Sequence, residues 1–534
     1  MSFLHARVHV MTELTFTSQA GHADPYNDVE LDVLFANGEQ TIRVPAFWAG
    51  DDIWKVRFAA PAEGDWTYET ICTFTTGPGP NDAGLCAQTG TIRATPYAGD
   101  NPLLQHGRLQ VSESQRYLEH VDGTPFLWIG DTWWMGLTTR LDWPEGFQTL
   151  AADRVSAGFS AIQIITGPYP DMTAWDPRGR SEAGFPFADN FERISPAYYD
   201  AADLKIGHLV QSGLMPCIVG MWGYYLPQIG VERIKRYWRY IVARYSAYPV
   251  CWCIAGEAAM PYYLSENKES EAQEQKSGWT EVTRYVHDVD GHDNPVTIHP
   301  TQFGRQQVED PGVLDFEMLQ TGHGGFKSLI NNVEAVRESR AIQPAMPTFV
   351  SEVSYEGILG RCHADVQRMS FWQAILSGAF GHTYGANGIW QMSTEADPYG
   401  PSPHGRSWGS QTWQGAYRSS GSRHVGLARQ LLTDIQWWRL ETHDEWIENP
   451  WDGTDYDTNI AAGIPGELRV IYVPQMWNLP QVLEIEPNVS YESFWFDPMT
   501  GDRTDTVAVE PDADGAWTPP HPVVVHDWVL VLTA

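Results

Sequence analysis

The rhythm of apolar and polar residues changes twice along the chain. Over the first 100 residues, short segments alternate between the two: Val29–Phe35 (VELDVLF), Gln40–Pro45, Trp54–Phe58 and Trp66–Phe74. Turn-forming stretches separate them at Asn37-Gly38, Gly50-Asp51, Glu63-Gly64-Asp65 and Gly77-Pro78-Gly79-Pro80. Alternation with period two gives each strand one buried face. The pattern therefore predicts an N-terminal antiparallel β-sandwich over residues 1–100.

Between residues 101 and 430 the apolar runs become continuous and alternate with helix-like stretches. Eight such runs stand out: Phe126–Gly130, Phe159–Ile165, Leu214–Gly220, Val250–Ala255, Pro295–His299, Val313–Leu319, Pro347–Val350 and Ala379–Tyr384. Val231–Tyr245 (VERIKRYWRYIVARY) shows the other rhythm, with apolar residues three and four apart and Arg and Lys on the opposite face. Eight buried strands, each followed by a helical or loop segment, predict an α/β fold of the (β/α)₈ TIM-barrel type. No G-x-G-x-x-G follows an early strand, which argues against a dinucleotide-binding sheet. The polar stretch Ser265–Ser277 reads as an exposed loop or helix start after the fourth strand.

From 431 to 534 the short-strand rhythm returns. Glu467–Tyr472, Gln481–Ile485, Ser493–Phe496 and Val523–Leu532 read as strands, with a turn at Asp497-Pro498-Met499-Thr500-Gly501. A second antiparallel β-sandwich is expected here.

Composition adds constraints. The 534 residues are 43% hydrophobic and 19% charged, which excludes a wholly disordered chain. The net charge of −33 repels phosphate backbones and anionic lipid, so neither nucleic acid nor a membrane is an expected partner. No run approaches ~18 apolar residues, and MSFLHARVHVMTELTF lacks the apolar core of a secretory signal. The six scattered cysteines do not suggest a disulfide framework, and a cytoplasmic location follows as the expectation. Self-association into a homo-oligomer stays open. The 24 tryptophans are the unusual feature. Most aromatic residues pack cores, but indole also stacks on the C–H face of a sugar ring.

In a (β/α)₈ barrel, reactive groups project from the C-terminal ends of the strands. The expected strand ends carry Asp131-Thr132-Trp133-Trp134 on the first and Gln163 on the second. Trp222-Gly223-Tyr224 ends the third, Glu257 the fourth and His299 the fifth. Gln320 and His323 end the sixth, and Glu352 with Tyr355 the seventh. His382, Tyr384 and Trp390 belong to the eighth. Such polar and aromatic groups suit a hydroxylated ring. Glu257 and Glu352 are carboxylates set directly after apolar runs on opposite sides of the barrel mouth. Acetal cleavage needs such a pair, one to protonate the leaving oxygen and one to attack the anomeric carbon. A lone Glu at a strand end can equally cap a helix or pair with an arginine, so the pair carries the argument. Glu356, a turn beyond the seventh strand, is the weaker candidate. The expected ligand contacts are Asp131, Trp133, Trp134, Gln163, Trp222, Tyr224, His299, Gln320, His323, Tyr355, His382, Tyr384 and Trp390. No cofactor is expected. A metal-dependent barrel hydrolase would need a His-x-His on the first strand, which instead ends in Asp-Thr-Trp. A non-catalytic carbohydrate-binding barrel is the remaining alternative.

Four segments, Phe126–Trp133, Gly158–Gln163, Trp252–Glu257 and Gly385–Trp390, resemble the apiosidase-like glycoside hydrolases, barrels related to a large retaining clan. Phe47-Trp48, Trp54–Phe58 and Gly64-Asp65-Trp66 resemble the β-sandwich that precedes such barrels. Trp495–Gly501 and Asp527–Leu530 resemble the C-terminal sandwich of collagen-binding type that follows them. The resemblance implies a glycosidase whose acid/base is Glu257 and whose nucleophile is Glu352. The chain departs from the family at Ala255-Gly256-Glu257, where apiosidases carry Gly-Gly-Asp. Glu reaches about one methylene further, so apiose is not the expected sugar. The wider clan has Asn where Gly256 stands, and its contact to the sugar 2-hydroxyl is expected to pass to Gln163 or His299.

Overall fold

The computed structural model describes residues 4–74 and 82–534. The Gly77–Pro80 turn lies outside the described residues.

All eight expected barrel strands form. They are β1 (Trp128–Trp133), β2 (Ala161–Ile165), β3 (Met215–Val219), β4 (Cys251–Cys253), β5 (Val296–Thr297), β6 (Glu317–Gln320), β7 (Thr348–Glu352) and β8 (Gly381–Tyr384). They make one parallel sheet in the order 5-4-3-2-1-8-7-6. No ladder joins β5 to β6, and the gap is closed by single bonds. Asp315 N donates to Val296 O at 2.9 Å, and Thr297 Oγ1 donates to Phe316 O at 2.6 Å. The strands are buried on both faces, which explains their unbroken apolar runs.

Helices pack around the outside: α1 (Glu145–Ser156), α2 (Pro196–Gln211), α3 (Val231–Tyr245), α4 (Lys268–Val289), α5 (Leu329–Ala341), α6 (Ala364–Leu376) and α7 (Ser420–Asp434). Only 3₁₀ turns, Gly304–Gln307 and Pro311–Val313, lie between β5 and β6 among the described residues. The latter turn takes the start of the run expected as a strand from Val313. In α3, Ile234, Trp238, Ile241 and Tyr245 are buried while Glu232 and Arg233 face solvent. The stretch after Ser265 becomes the start of α4.

Inside the barrel, Trp128, Phe316, Phe349 and Phe380 plug the N-terminal end of the strands, with Trp128 and Phe349 centroids 4.6 Å apart. Aromatic packing thus closes one end and leaves the C-terminal end for chemistry.

The N-terminal sheets have five strands (Leu4–Arg7, Thr89–Thr95, Gly64–Phe74, Val29–Asn37, Gln40–Pro45) and three (Thr12–Thr17, Ile53–Phe58, Phe47–Trp48). All pairings are antiparallel except Leu4–Arg7 with Thr89–Thr95. Phe35 and Phe58 stack between the sheets at 3.9 Å. This unit docks on the barrel helices, where Arg239 pairs with Asp32 at 2.6 Å and Arg57 donates to Arg244 O at 2.8 Å.

The C-terminal unit is built on a six-stranded antiparallel sheet: Glu441–Thr442, Ile460–Ile464, Leu468–Val473, Trp528–Thr533, Glu492–Phe496 and Val507–Ala508. It leans on α6, with Trp372 stacked on Tyr472 and Arg368 paired to Asp527 at 2.6 Å. Two expectations change. Gln481–Ile485 makes only bridges, Val482 to Ile447 and to Trp517. The last strand starts at Trp528 rather than Val523, which is 98% exposed and has no neighbour to bury it.

Candidate active site

Glu257 and Glu352 meet at the C-terminal mouth of the barrel. Glu352 is the last residue of β7, and its carbonyl is fixed by Thr321 N at 3.0 Å. Glu257 lies just beyond β4, where backbone bonds still tie the chain to both neighbouring strands. Gly256 N donates to Met221 O at 2.9 Å, and Ala258 N donates to His299 O at 3.1 Å. Glu257 itself has φ +39°, a left-handed conformation a non-glycine residue adopts only when its surroundings impose it.

Gln320, from the end of β6, lies between the two acids. Its Nε2 is 3.2 Å from Glu257 Oε1 and 3.2 Å from Glu352 Oε1. One shared nitrogen limits the separation of those two oxygens to twice that length.

The environments of the two acids differ. Glu352 Oε1 is also 2.9 Å from His323 Nε2, and Oε2 is 3.2 Å from His299 Nε2. The His299 contact is off-line for a hydrogen bond and acts through proximity. Burial works to raise the Glu352 pKa, but the two imidazoles outweigh it and hold the carboxyl at about 2. His323 is shifted upward in turn; burial opposes this and the Glu352 carboxylate overcomes it. Among the described residues, no cation stands at such distances from Glu257. Burial, then the neighbouring Glu352 charge, push it up to about 7. One carboxyl is therefore ionised and its neighbour protonated near neutral pH.

Around the pair lies a cavity of ≈ 320 Å³. Of the residues singled out in the sequence, Trp134, Trp222, Gln320, His323, Tyr355 and Trp390 line it. His299 sits beneath, its ring edge-to-face with Trp134 at 5.3 Å. Trp134 Nε1 donates to the Tyr355 hydroxyl at 3.1 Å. Trp222 Nε1, Trp390 Nε1 and Gln320 Oε1 are buried and have no protein partner. Buried polar atoms without partners are costly, and the three residues that carry them line the cavity. A larger hollow of ≈ 630 Å³ lies beside Gly158 and α7, on the N-terminal side of the strands. Its only carboxylate, Asp153, is already paired with Arg154.

Besides His299, six expected contacts do not line the cavity. Asp131 is sealed between β1 and α1, where its Oδ2 accepts from Arg154 Nε at 2.6 Å and Trp133 Nε1 at 2.8 Å. Trp133 packs on Phe147 of α1. Gln163 donates to Ser351 O at 3.0 Å inside the barrel. The His382 ring lies against Phe371 of α6, and burial pushes it down to about 3, so it stays neutral. Tyr384 donates to Glu356 Oε2 at 2.6 Å, which also places Glu356 outside the cavity. Tyr224 donates to Met172 O at 3.0 Å beneath a loop. For the strand residues other than Gln163, the cause is that a run buried on both faces does not say which side chains turn toward the helices; Gln163 points into the barrel below the cavity and Tyr224 lies in the turn after β3.

Sequence reasoning missed Asp171, Met260, Tyr263, Ile358, His404, Arg406 and Trp408, all on loops around the cavity. Asp171 belongs to the long connection between β2 and α2, and Trp408 to the stretch following β8. Length was the available signal, since long irregular loops in a compact domain are commonly functional.

Among the described residues, no three His, Cys, Asp or Glu side chains group in a metal-binding arrangement, and no helix is long and apolar enough to cross a membrane.

A parallel eight-stranded barrel with a carboxylate pair at its C-terminal mouth has the architecture of barrel glycoside hydrolases. Residues 112–439 match the family described as apiosidase-like, catalytic domain, and the chain belongs to that family. Residues 6–73 match a domain of unknown function. Among solved structures, a glycoside hydrolase family 5 protein from Bacteroides vulgatus ATCC 8482 is 21% identical, with TM-score 0.66 over 80% of this chain and 93% of its own. A candidate glycoside hydrolase from the same organism aligns over 99% of both chains at TM-score 0.71 and 17% identity. At these identities the likeness is one of fold. No curated protein matches the chain.

Proposed function

We propose that this protein is a retaining glycoside hydrolase that removes a terminal sugar from a glycoside or short oligosaccharide. The observation that carries the reading is the Gln320 bridge, which joins two carboxyls held in opposite protonation states. Glu352, ionised, attacks the anomeric carbon. Glu257, protonated, gives its proton to the departing oxygen as the glycosidic bond breaks. The sugar is then an ester of Glu352. Glu257, now a carboxylate, takes a proton from water, and the hydroxide displaces Glu352 from the anomeric carbon. Glu257 regains its proton and Glu352 its charge.

Retention is supported by the short span. Retaining pairs stand about 5–5.5 Å apart and inverting pairs about 6.5–9.5 Å, to leave room for water. Two bonds of 3.2 Å through one nitrogen cap the separation of the facing oxygens at twice that length, which admits the retaining distance and leaves little room for a water between them. Release of a terminal sugar is our reading of a cavity of this size, to whose walls the loops after β2, β4, β7 and β8 contribute. The clan's Asn contact does not pass to Gln163, which is engaged with Ser351. We also place the protein in the cytoplasm, since Cys217, Cys251 and Cys253 are buried, unpaired thiols suited to a reducing compartment.

The test is a panel of nitrophenyl pyranosides and furanosides of both anomers. Wild type should cleave at least one. Glu257→Ala should lose activity on poorly activated leaving groups and regain it with azide, giving the glycosyl azide. No turnover on any glycoside contradicts the proposal.

A further inference from the structure

Asp171 is a third buried carboxylate in the same cavity, and the hydrolytic steps do not use it. It is 5% exposed and its backbone is left-handed, φ +57°. An aspartate tolerates this conformation only at some cost, so the loop around it must hold it there. The restraints are on the page. Tyr224 and Tyr225 both donate to the carbonyls of Tyr169 and Met172, at 2.8 to 3.2 Å, and Tyr399 donates to Pro170 O at 3.1 Å. Three phenols thus lock the segment on either side of Asp171.

The carboxylate is held as firmly as the backbone. Trp408 Nε1 donates to Oδ2 at 2.8 Å, and the Tyr263 hydroxyl stands beside it. Tyr263 is in turn stacked on His404 at 4.8 Å. No arginine or lysine is within ion-pair distance of Asp171 among the described residues, so it is not a structural ion pair of the Asp131–Arg154 kind. An ionised carboxylate offers about four acceptor positions, and two neighbouring donors leave room for two more on the cavity side.

We propose that Asp171 is a specificity-determining residue that accepts hydrogen bonds from a pair of ring hydroxyls on the sugar attacked by Glu352. Trp408 and Tyr263 set the plane of the carboxylate, and the three phenols set its position. This inference rests on the glycosidase reading of the site and names the feature of the substrate that the site selects. A sugar lacking one of the two hydroxyls leaves Asp171 with a buried acceptor unmet, and is discriminated against for that reason.

The experiment uses the full chain carrying Glu352→Gln, so that glycosides bind without turnover, with and without Asp171→Asn. Nitrophenyl glycosides and their monodeoxy derivatives are titrated, and quenching of tryptophan fluorescence is read. The inference predicts that Asp171→Asn weakens the parent glycoside about 10-fold or more, as expected for loss of bonds to a charged acceptor. It predicts a smaller loss for each of the two monodeoxy derivatives that lack one contacted hydroxyl, because one of the two bonds is already broken, and the full loss for derivatives deoxygenated elsewhere on the ring. Asp171→Glu, which keeps the charge but displaces it, should lose the same discrimination. Unchanged melting and near-ultraviolet circular dichroism exclude misfolding as the cause. An equal loss for the parent and every derivative, no loss at all, or a failure of both Asp171 variants to fold overturns the inference. Turnover by wild type with discrimination insensitive to Asp171 overturns the inference alone. Asp171-dependent discrimination in a wild type without turnover overturns the hydrolase reading alone.

Discussion

The indole of Trp222 occupies the space that a side chain at Gly256 would need: a Cβ there would stand 2.2 Å from Trp222 Cε3. The ring belongs to the cavity wall, so the two positions are coupled. Gly256→Asn, which restores the clan residue, is predicted to push Trp222 out of place rather than add a sugar contact. Overpacking of this kind costs about 1–3 kcal/mol. Thermal melting should fall, and kcat/KM should fall with it.

The pH profile follows from the two acids. Glu257 must hold its proton, so kcat/KM should decline as pH rises through about 7. Glu352 must be ionised, so the acidic limb should lie far below, at about 2. His323→Ala removes a group that lowers the Glu352 pKa through a direct contact and also interacts with Glu257, so it should move the acidic limb upward and the alkaline limb upward by less. Initial rates across pH, on a substrate whose leaving group needs protonation, check both limbs.

The same shift makes a statement about stability. The folded Glu257 binds its proton more tightly than the unfolded chain does, so native stability falls as pH rises from about 4.5 through about 7. Glu352 has the opposite sign, its contribution being present above about 4.5 and lost as pH falls toward 2. Glu257→Gln removes the first penalty. At pH 8 this variant should melt above wild type, by a stabilisation of about 1–3 kcal/mol, and the difference should vanish below pH 4.5. Differential scanning at both pH values measures it.

Asp131 and Arg154 are fully buried and hold each other at 2.6 Å. Removing one partner leaves an uncompensated charge, at a cost of about 3–5 kcal/mol. Arg154→Met is predicted to destabilise the barrel by that order and to leave the KM of the surviving folded enzyme near wild type. A large KM effect without loss of stability would return Asp131 to the cavity.

The sequence made the barrel and its central pair legible for one physical reason. Parallel strands covered on both faces are long apolar runs, and a carboxylate directly after such a run marks a strand end. Glu257 and Glu352 were readable on that ground. Val296–Thr297 was found as an element but shrinks to two residues, because no ladder to β6 extends it. Asp131 and His382 turn toward the helices and Gln163 into the barrel interior, because an apolar run does not encode which way each side chain points. Asp171 and Trp408 were missed because their loops carry no periodicity. Only the folded chain brings them within 2.8 Å across 237 residues.

The central claim is that Glu352 becomes covalently linked to the sugar while Glu257 serves as acid and base. An activated 2-deoxy-2-fluoro glycoside of the sugar the enzyme cleaves slows release of that ester, and peptide mapping by mass spectrometry then locates it. The account predicts one fluoroglycosyl group per chain on the peptide containing Glu352, with none in Glu352→Gln. A label on any other residue, or time-dependent turnover with no adduct and an inverted product anomer, would contradict it.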